Sequence, residues 1–396
     1  MKKLFIAAFM FVSTFTSNVF ADGHAIKMGI ILGFTGPIES LTPAMRDSAK
    51  LAFSEASSSG SLLGGKKITV IEGDSTCVDS AAAQAAAEKL VADGVVAIMG
   101  ADCSGVTGAI ASNVAVPNGV AMISPSATSP GLTDLDDKGF FFRTAPSDAR
   151  GGQILADITK DRKIKSVAIT YTNNDYGKGL ADVYASAVKA HGIKVTTTAA
   201  HEDGKADYTA EVSTLASAGG DALVVIGYLD QGGKGIIQGS LDSGAFDTFI
   251  LSDGMIGDSL TDAFGKNLNK SFGSLPGSTG KGAGVYAKVA KAGGIDSSGP
   301  YTGESYDAAA LLVLAMQAGG SADRASIAKN VMSVANGPGK KIYPGELKKA
   351  LDLLANGKAV DYEGATGVSF TDVGEAFGSF LEKEIKGGKF KTKKQR

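Results

Sequence analysis

Short apolar runs alternate with amphipathic segments along the first third of the chain. The run IKMGIILG is apolar apart from one lysine, as expected for a parallel strand that is buried on both faces. Thr42 and Pro43 then supply an N-cap and a first helical position for an amphipathic helix that ends near Gly60. The strand KKITVIEG, an Ala-rich helix capped by Asp79, and the strands VVAIMG and VAMIS continue the alternation. Strands separated by single helices predict βαβ units and a parallel sheet.

The same alternation restarts in the middle of the chain. A helix over 147–161 leads to the strand KSVAITY, and more helix–strand pairs follow, ending in DTFILS. Two such runs, near 26–124 and 165–252, predict two doubly wound α/β lobes. The segment FFFRTAPSD joins the two runs and is expected to cross between the lobes, and SFGSLPGSTGKGAG is expected to be a second inter-lobe segment.

The end of the chain contains a long apolar helix and a basic tail. The helix YDAAALLVLAMQAGG precedes the segments TGVSF, EAFGSFLEKEI and KF, which have the pattern of strands. We therefore expect the chain to cross between the lobes once more. The tail KGGKFKTKKQR is expected to be a frayed, solvated end, with a docking role as the less favoured alternative.

The first residues have the pattern of a secretory signal peptide. Lys2 and Lys3 precede the apolar run Leu4–Val12, and a small residue, Ala21, stands before Asp22. This order predicts export, cleavage after Ala21 and a periplasmic protein, because the run is too short to span a membrane. No later segment has about 18 uninterrupted apolar residues, so a soluble mature protein is expected.

Charge and composition exclude several classes of function. The chain has 39 basic and 41 acidic residues, and removal of Lys2 and Lys3 leaves 37 basic residues and a formal charge of −4. Nucleic-acid binding usually needs a basic face and is not expected. Three scattered histidines and two cysteines make no recognised metal-ligand spacing, so neither a metal nor a cofactor is expected. In an exported protein, Cys77 and Cys103 predict instead one disulfide, which stabilises the fold by about 3–4 kcal/mol.

Hydroxyl residues follow two strands of the first predicted lobe. The strand VAM runs directly into ISPSATSP, and the preceding strand runs into ADCSGVTG. Ser104, Ser126 and Thr128 therefore lie at carboxyl ends of strands, where open α/β sheets bind ligands. Their hydroxyls and the free amides of the adjacent helix starts could form a cradle for a carboxylate. The alternative, that these residues only cap helices and form turns, remains open.

An acid and two tyrosines follow strands of the second predicted lobe. Asp253 stands in ILSDGM, Tyr176 in TYTNNDYGKGLA, and Tyr228 in IGYLDQ. An acid that faces a carboxylate cradle across a cleft would suit an ammonium group. Alternatively, Asp253 is a helix-cap or turn residue, and the two tyrosines are packing residues.

No catalytic constellation is visible, so we do not expect an enzyme. No strand is followed by GxGxxG with an acid about 20 residues on, which argues against a dehydrogenase. GSTGKG lacks the first glycine and the final Ser or Thr of a P-loop, and no GxSxG surrounds the candidate serines. A sugar receptor is less favoured because sugar clefts commonly use Trp faces, and this chain has no Trp.

Several short motifs, in order along nearly the whole mature chain, resemble the periplasmic leucine/isoleucine/valine-binding proteins, the amino-acid receptors of ABC importers. The motifs are GFTGP (33–37), CSG (103–105), ISPSAT (123–128), NNDYGKGLA (173–181), SDG (252–254), SYDAA (305–309) and the closing FTDVGEAFGSF. The resemblance implies a type I periplasmic binding fold, which is α/β with two Rossmann-like doubly wound lobes joined by three crossover strands. The cysteine spacing also resembles the disulfide of that family.

The resemblance implies a division of the mature chain into two lobes. Lobe 1 would contain residues 22–144 and 275–365, and lobe 2 residues 145–274 and 366–396, after the signal peptide 1–21. The lobes would close on an amino acid or a similar small zwitterion, and an ABC permease in the membrane would read the closed form of the monomer. A sensor, or a receptor for an aliphatic or aromatic carboxylate or amide with the same fold, is the alternative.

The resemblance also assigns roles to the residues at the strand ends. Ser104, Ser126 and Thr128 would hold the ligand α-carboxylate, with Ser126 acting through its main chain. Thr128 would use its hydroxyl and could reach the ammonium as well. Asp253 would hold the α-ammonium.

Other residues of the cleft leave the side-chain specificity open. Tyr176 and Tyr228 would line the cleft. Leu41 falls near a position that is often aromatic in the family, which implies a different side-chain pocket. Glu304 would either select a polar or cationic side chain or face solvent.

Overall fold

The computed structural model describes residues 25–396, and the predicted signal peptide lies outside this range. Across these residues no helix is long and apolar enough to cross a bilayer. The strands in chain order are β1 (Ile26–Leu32), β2 (Ile68–Asp74), β3 (Ala97–Gly100), β4 (Ala121–Ser124), β5 (Phe141–Arg143), β6 (Ser166–Thr172), β7 (Lys194–His201), β8 (Ala222–Ile226), β9 (Phe249–Leu251), β10 (Phe272–Pro276), β11 (Lys340–Ile342), β12 (Val360–Tyr362), β13 (Phe380–Lys386) and β14 (Lys389–Gln395).

Helices connect most of these strands. In chain order they are α1 (Thr42–Ser58), α2 (Ser80–Ala92), α3 (Ser104–Ile110), α4 (Asp148–Asp161), α5 (Asp175–Ala190), α6 (Thr209–Ala218), α7 (Gly232–Ser243), α8 (Asp258–Phe264), α9 (Lys281–Ala292), α10 (Thr302–Ala318), α11 (Arg324–Ala335) and α12 (Leu347–Ala355). Each βα step places a loop and a helix start at the carboxyl end of a strand. The candidate site is built from these loops.

The first sheet has five parallel strands in the order β2-β1-β3-β4-β5. β1 pairs on both sides, with Met28 opposite Val70 of β2 and Ala97 of β3. All residues of β1 except Lys27 are buried, which explains its nearly continuous apolar sequence.

Helix α10 forms the centre of the first lobe. Of its 17 residues, 15 are buried, and it packs on α1, α11, α12 and the strands β3 and β4. A helix that is apolar on all sides is expected inside a core. The chain after β10 therefore returns to the first sheet, which places the start of α10 beside the carboxyl ends of its strands.

The second sheet has seven strands in the order β14-β13-β10-β9-β8-β6-β7. The strands from β10 to β7 run parallel, whereas β13 and β14 form an antiparallel hairpin at one edge. The central strand β8 reads ALVVI, and all of its residues are buried. Sheets of this kind, with helices on their faces, present the loops that follow their parallel strands at one edge.

The chain passes between the two sheets after β5, after β10 and after β12. An ion pair joins two of these crossings, since Nη2 of Arg143 lies 2.5 Å from Oε2 of Glu375. Arg143 is only 1% exposed, so this pair is part of the core at the junction. The predicted fold class, two doubly wound α/β lobes with three crossovers, is confirmed.

The basic tail is not a frayed end, and that prediction was wrong. It forms β14, which pairs with β13 across a turn at Gly387 and Gly388, both with positive φ as a tight hairpin turn requires. Arg396 lies 2.6 Å from Glu382 and 2.7 Å from Asp161. Burial alone would raise the pKa of Glu382, but the hydrogen bonds from Arg396 and from a second arginine lower this pKa to about 2.

Of the segments expected to be strands, TGVSF and the first part of EAFGSFLEKEI form only isolated bridges, whereas the second part forms β13, which begins at Phe380. Most of their apolar residues are buried, although Phe377 is 63% exposed. The ring of Phe370, for example, lies 5.8 Å from that of Phe142, measured between centroids. The prediction of strand pairing was therefore wrong for these residues.

Candidate functional site

The carboxyl ends of the two sheets face each other across a narrow void. The void has a volume of about 30 Å³, which is room for about two water molecules. Both lobes contribute to its lining, which consists of Ile38, Leu41, Met45, Asp102, Cys103, Ser104, Ser126, Tyr176, Tyr228, Asp253, Gly254 and Tyr301. This set contains each of the predicted site residues except Thr128.

The lobes touch directly around this void. Asp230 of the second lobe accepts a hydrogen bond from the amide of Ser40 at 2.9 Å. Its own amide donates to the carbonyl of Pro37 at 3.1 Å. Oγ of Ser129 donates to the carbonyl of Asp175 at 3.0 Å. These bonds join the two walls directly.

Asp102 fixes the loops of the first wall. It follows β3, and its carboxylate accepts from the amide of Gly33 at 2.6 Å, from Oγ of Ser75 at 3.0 Å and from the amide of Cys103 at 2.9 Å. It thereby joins the loops after β1, β2 and β3. Burial raises the pKa of Asp102, and these hydrogen bonds oppose that rise. Sequence analysis missed this residue, although its place directly after a strand was a usable signal.

The loop after β4 is fixed from both sides. Oγ of Ser124 donates to the carbonyl of Ala101 at 2.5 Å and accepts from the amide of Ala127 at 3.0 Å. Nη1 of Arg143 donates to the carbonyls of Ala127 at 3.1 Å and Ser129 at 2.8 Å. A loop held by this many bonds presents its hydroxyl residues in one orientation.

The three predicted hydroxyl residues differ in their hydrogen bonds. Oγ of Ser104 accepts from the amide of Ser129 at 3.1 Å, which leaves its proton free to donate into the void. Oγ of Ser126 donates instead to the carbonyl of Asp102 at 3.1 Å, so its proton is already used. Oγ1 of Thr128 is buried and has no hydrogen-bond partner among residues 25–396.

On the second wall, Asp253 follows β9 and is 7% exposed. The hydroxyl of Tyr176 donates to Oδ1 of Asp253 at 2.7 Å and lies 2.8 Å from Oγ of Ser252. The amide of Gly254 donates back to the same hydroxyl at 3.2 Å. The carboxylate of Asp253 therefore points at the cleft and at Tyr176.

Tyr301 brings a second hydroxyl to this acid from the opposite lobe. It stands directly before α10 and donates to Oδ2 of Asp253. Burial raises the pKa of Asp253, and the hydrogen bonds from Tyr301 and Tyr176 oppose that rise. Burial and the charge of Asp253 raise the pKa of both tyrosines well above 10, so they remain neutral donors. Sequence analysis missed Tyr301, because its position depends on how α10 packs.

Tyr228 stacks on Tyr176. The ring centroids are 5.4 Å apart and the planes differ by 21°. Asn174, which caps α5 by accepting from the amide of Gly177 at 3.0 Å, places its Nδ2 3.4 Å from the hydroxyl of Tyr228. The stacked pair forms a rigid aromatic face of the void.

The remaining lining is aliphatic and comes from the start of α1. Ile38, Leu41 and Met45 are all buried and line one end of the void. Glu304 takes neither of its expected roles, because it is 5% exposed and is not part of the lining. Burial raises the pKa of Glu304 to about 8.

The predicted disulfide between Cys77 and Cys103 is present, with an S–S distance of 2.06 Å. It joins the loop after β2 to the start of α3. Cys103 itself lines the void. The covalent link therefore ties two loops of the first wall together, next to the bonds made by Asp102.

A larger and more open groove of about 1090 Å³ lies on the outer face of the second lobe, between α6 and α7. Its lining shares no residue with that of the void between the lobes. Within residues 25–396 no group of His, Cys, Asp or Glu side chains is arranged to hold a metal ion. The void between the lobes remains the place where the polar groups converge.

Comparison with known sequences places residues 25–346 in a family of periplasmic binding proteins. Leu/Ile/Val-binding protein homolog 1 from Brucella melitensis is 31% identical over 324 residues, which is 80% of this chain and 84% of that protein. Leu/Ile/Val-binding protein homolog 3 from the same organism is 31% identical over 59% of this chain and 62% of that protein.

Solved structures with the same fold include the leucine binding protein LivK from Thermotoga maritima, with a TM-score of 0.79 and 22% identity over 94% of this chain and 98% of that chain. LivJ from Streptococcus pneumoniae in complex with isoleucine has a TM-score of 0.76 and 23% identity, over 94% and 99% of the two chains. A solute binding protein from R. palustris in complex with benzoate has a TM-score of 0.75 and 17% identity, over 94% and 96%.

Proposed function

Since this chain belongs to the periplasmic binding protein family, we propose that it is the periplasmic substrate-binding protein of an ABC importer. It binds an amino acid, or a similar small zwitterion, between its lobes. Relatives named as Leu/Ile/Val-binding proteins and a structural neighbour with bound isoleucine support this assignment. The proposal is carried by one observation, the convergence on a single void of a wall with hydroxyl groups and a wall with the acid Asp253.

The first wall would hold the carboxylate end of the ligand. Ser104 has an unused hydroxyl proton, because its oxygen already accepts from the amide of Ser129. Ser126 would act through its main chain, since its hydroxyl is bonded to Asp102. Thr128 completes the cradle. Hydrogen bonds to an ionised carboxylate each contribute about 1.5–3 kcal/mol, so a few of them suffice to orient the ligand.

The second wall would hold the ammonium end. Asp253 is buried, and within residues 25–396 the side chains that donate to it are the neutral tyrosines Tyr176 and Tyr301, with no cationic side chain in contact. An ammonium would supply that charge. Tyr176 keeps the carboxylate aimed at the cleft, and Tyr228 stacks behind Tyr176. The apolar side chain of the ligand would lie against the aliphatic residues at the start of α1.

The void is smaller than an amino acid, so entry requires the walls to separate. Residues 22–144 with 275–365 would move as one body and 145–274 with 366–396 as the other, about the three crossings. A ligand that touches both walls binds the closed form better than the open form, and this difference in affinity drives closure. A membrane permease would then recognise the closed monomer.

A receptor for an aromatic carboxylate is the second candidate. A structural neighbour has benzoate bound, and the stacked rings of Tyr176 and Tyr228 would suit an aromatic ligand. Asp253 argues against this candidate, because a ligand without an amine would leave a buried acid unpaired.

A thermal-shift screen separates the two candidates. L-amino acids, amides, sugars, aliphatic carboxylates and benzoate are each added to the wild-type protein. We expect at least one L-amino acid to raise the Tm by about 2–6 °C when present at about 100 times its Kd. Shifts with benzoate or other amine-free carboxylates alone would reject the amino-acid assignment in favour of the second candidate.

A further inference from the structure

The strand β14 concentrates positive charge at one edge of the second sheet. Residues 386–396 read KGGKFKTKKQR and include six basic residues and no acid, although the whole chain has 41 acidic and 39 basic residues. β14 is the outermost strand of its sheet, and all of its residues except Phe390 are exposed. The positive charge is therefore held on an ordered strand that faces solvent.

Three lysines of β14 share one face, and we call Lys389, Lys391 and Lys394 the lysine row. They pair with every second position of β13, from 386 back to 382. Alternate positions of a strand point to the same side of the sheet, and directly paired residues share that side. Within residues 25–396 no member of the lysine row forms an ion pair. The row therefore presents unpaired ammonium groups to solvent.

The acids of β13 on this face are already paired with other cations. Glu382 is fully buried and lies 2.9 Å from Arg162 and 2.6 Å from Arg396. Glu384 lies 2.6 Å from Lys386. Hydrogen bonds with these cations hold the pKa of both acids below the usual value for Glu. The two acids are ionised and neutralised by these partners, so they do not offset the charge of the lysine row.

An exposed apolar segment lies beside the basic strand. Phe377 is 63% exposed and Val373 is 52% exposed, and both belong to the segment that leads into β13. Nε2 of Gln395 in β14 donates to Oγ of Ser379, two residues after Phe377, at 2.9 Å. The ring of Phe377 is therefore near the end of the basic strand. Clustered lysines attract anionic lipids, and an exposed aromatic ring can enter the headgroup region of a membrane.

We propose that the lysine row and Phe377 form a docking surface for the anionic surface of a lipid membrane. β14 lines neither the void between the lobes nor the groove between α6 and α7, so its charge suits a flat partner better than an enclosed ligand. Each lysine near an anionic bilayer strengthens binding by roughly 5-fold, so three of them give weak, reversible attachment. Such attachment would concentrate the protein at the membrane that contains its proposed permease.

The lysine row has a simpler alternative role. Lysines on an edge strand discourage pairing with the edge strands of other molecules. That role predicts no affinity for lipid, and it gives no part to an exposed aromatic ring. A direct measurement of lipid binding therefore separates the two roles.

The test is co-sedimentation with lipid vesicles. The protein begins at Asp22, so the apolar run of the predicted signal peptide cannot itself bind lipid. Vesicles contain phosphatidylcholine alone or with about 30% phosphatidylglycerol, which is anionic. We expect binding only to the anionic vesicles at about 50 mM NaCl, and its loss at about 500 mM NaCl, because salt screens the attraction.

Two triple variants with the same change in charge identify the surface. The test variant replaces the lysine row by glutamine (Lys389→Gln, Lys391→Gln and Lys394→Gln). The matched control replaces exposed lysines of α9 and of the loop before β12 (Lys288→Gln, Lys291→Gln and Lys358→Gln). Affinity for the anionic vesicles should fall by at least about 10-fold in the test variant and by less than about 2-fold in the control. Phe377→Ser should weaken binding by about 3-fold.

Several outcomes would overturn the inference. They are the absence of wild-type binding to anionic vesicles at low salt, unchanged binding in the test variant, and an equal loss in the control. Retention on immobilised polyglutamate without binding to vesicles would indicate an acidic protein segment as the partner instead. If the test variant does not fold, the wild type decides, because binding that ignores phosphatidylglycerol or salt also overturns the inference. The proposed function does not depend on any of these results, since ligand binding is measured separately.

Discussion

The wall of the cleft built on the first sheet and the wall built on the second sheet differ in chemistry. The first presents the small hydroxyl residues Ser104 and Ser126, and its one acid, Asp102, is saturated by hydrogen bonds within the wall. The second presents Asp253 and stacked tyrosines, and among residues 25–396 no cationic side chain is bonded to this acid. The same βα architecture thus gives a donating wall and a negatively charged wall, which together match the two ends of a zwitterion.

The two walls also differ in how they are fixed. The first is tied together by the Cys77–Cys103 disulfide and by the carboxylate of Asp102. The second depends on side-chain contacts, and Asp253 receives one of its hydrogen bonds from Tyr301 of the other lobe. We infer that the first wall is preformed, whereas the second is completed only when the lobes meet.

The largest expected effect comes from removing the acid of the second wall. Asp253→Ala should weaken amino-acid binding by about 2–5 kcal/mol, because an ammonium in a dry cleft loses its charged partner. Calorimetry measures the change, and Asp258→Asn, an exposed acid on α8, serves as the control. Wild-type affinity in Asp253→Ala would show that the negative charge of this wall has no part in binding.

The stability of the protein as a function of pH tests the difference in charge between the two lobes, because the first lobe also contains a buried acid, Glu304. Its pKa is raised from 4.5 to about 8 by burial. The folded protein binds this proton more tightly than the unfolded chain does, so the stabilising contribution is complete below about pH 4.5 and is lost as the pH rises through about 8. Glu304→Gln should therefore be more stable than wild type at pH 9, by on the order of 2–4 kcal/mol, and similar to it near pH 4.5.

Denaturant unfolding at several pH values measures this difference. At neutral pH Glu304 would be largely protonated, so it would not add a negative charge to the donating lobe. Parallel stability curves for wild type and Glu304→Gln across the whole range would contradict this assignment.

A smaller effect is expected from the donating wall. Ser104→Ala removes the unused hydroxyl proton and should weaken amino-acid binding by about 1.5–3 kcal/mol. The same change should weaken 4-methylpentanoate by a similar factor, because both ligands have the carboxylate. Ser80→Ala, an exposed serine at the start of α2, is the control. A loss confined to leucine would mean that Ser104 contacts the ammonium end instead.

Much of the site followed from the order of strands and helices in the sequence. Parallel βα units place residues such as Ser104, Tyr176 and Asp253 at strand ends, and strand ends of two lobes meet in a cleft. These positions are set by local sequence, so a periodic pattern is enough to locate them. Thr128 was predicted as part of the same cradle, but it is not among the residues that line the main void.

The residues that sequence analysis missed come from chain segments whose position depends on long-range packing. Tyr301 reaches the cleft because α10 returns to the first sheet. The prediction of a frayed tail was wrong for the same reason. The partners of Arg396 are Glu382 and Asp161, which lie outside the tail segment, so the charge pattern of the tail alone resembled that of a solvated end.

The central claim is that two opposed walls bind the two charged ends of the ligand. Calorimetry with ligands that lack either the carboxylate or the ammonium group tests this claim most directly. L-Leucine, L-leucinamide and 4-methylpentanoate are titrated into wild type, Asp253→Ala and Ser104→Ala. We expect wild type to bind leucine most tightly, Asp253→Ala to lose its preference over 4-methylpentanoate, and Ser104→Ala to lose part of its preference over leucinamide. Equal binding of leucine and 4-methylpentanoate by wild type would contradict the account.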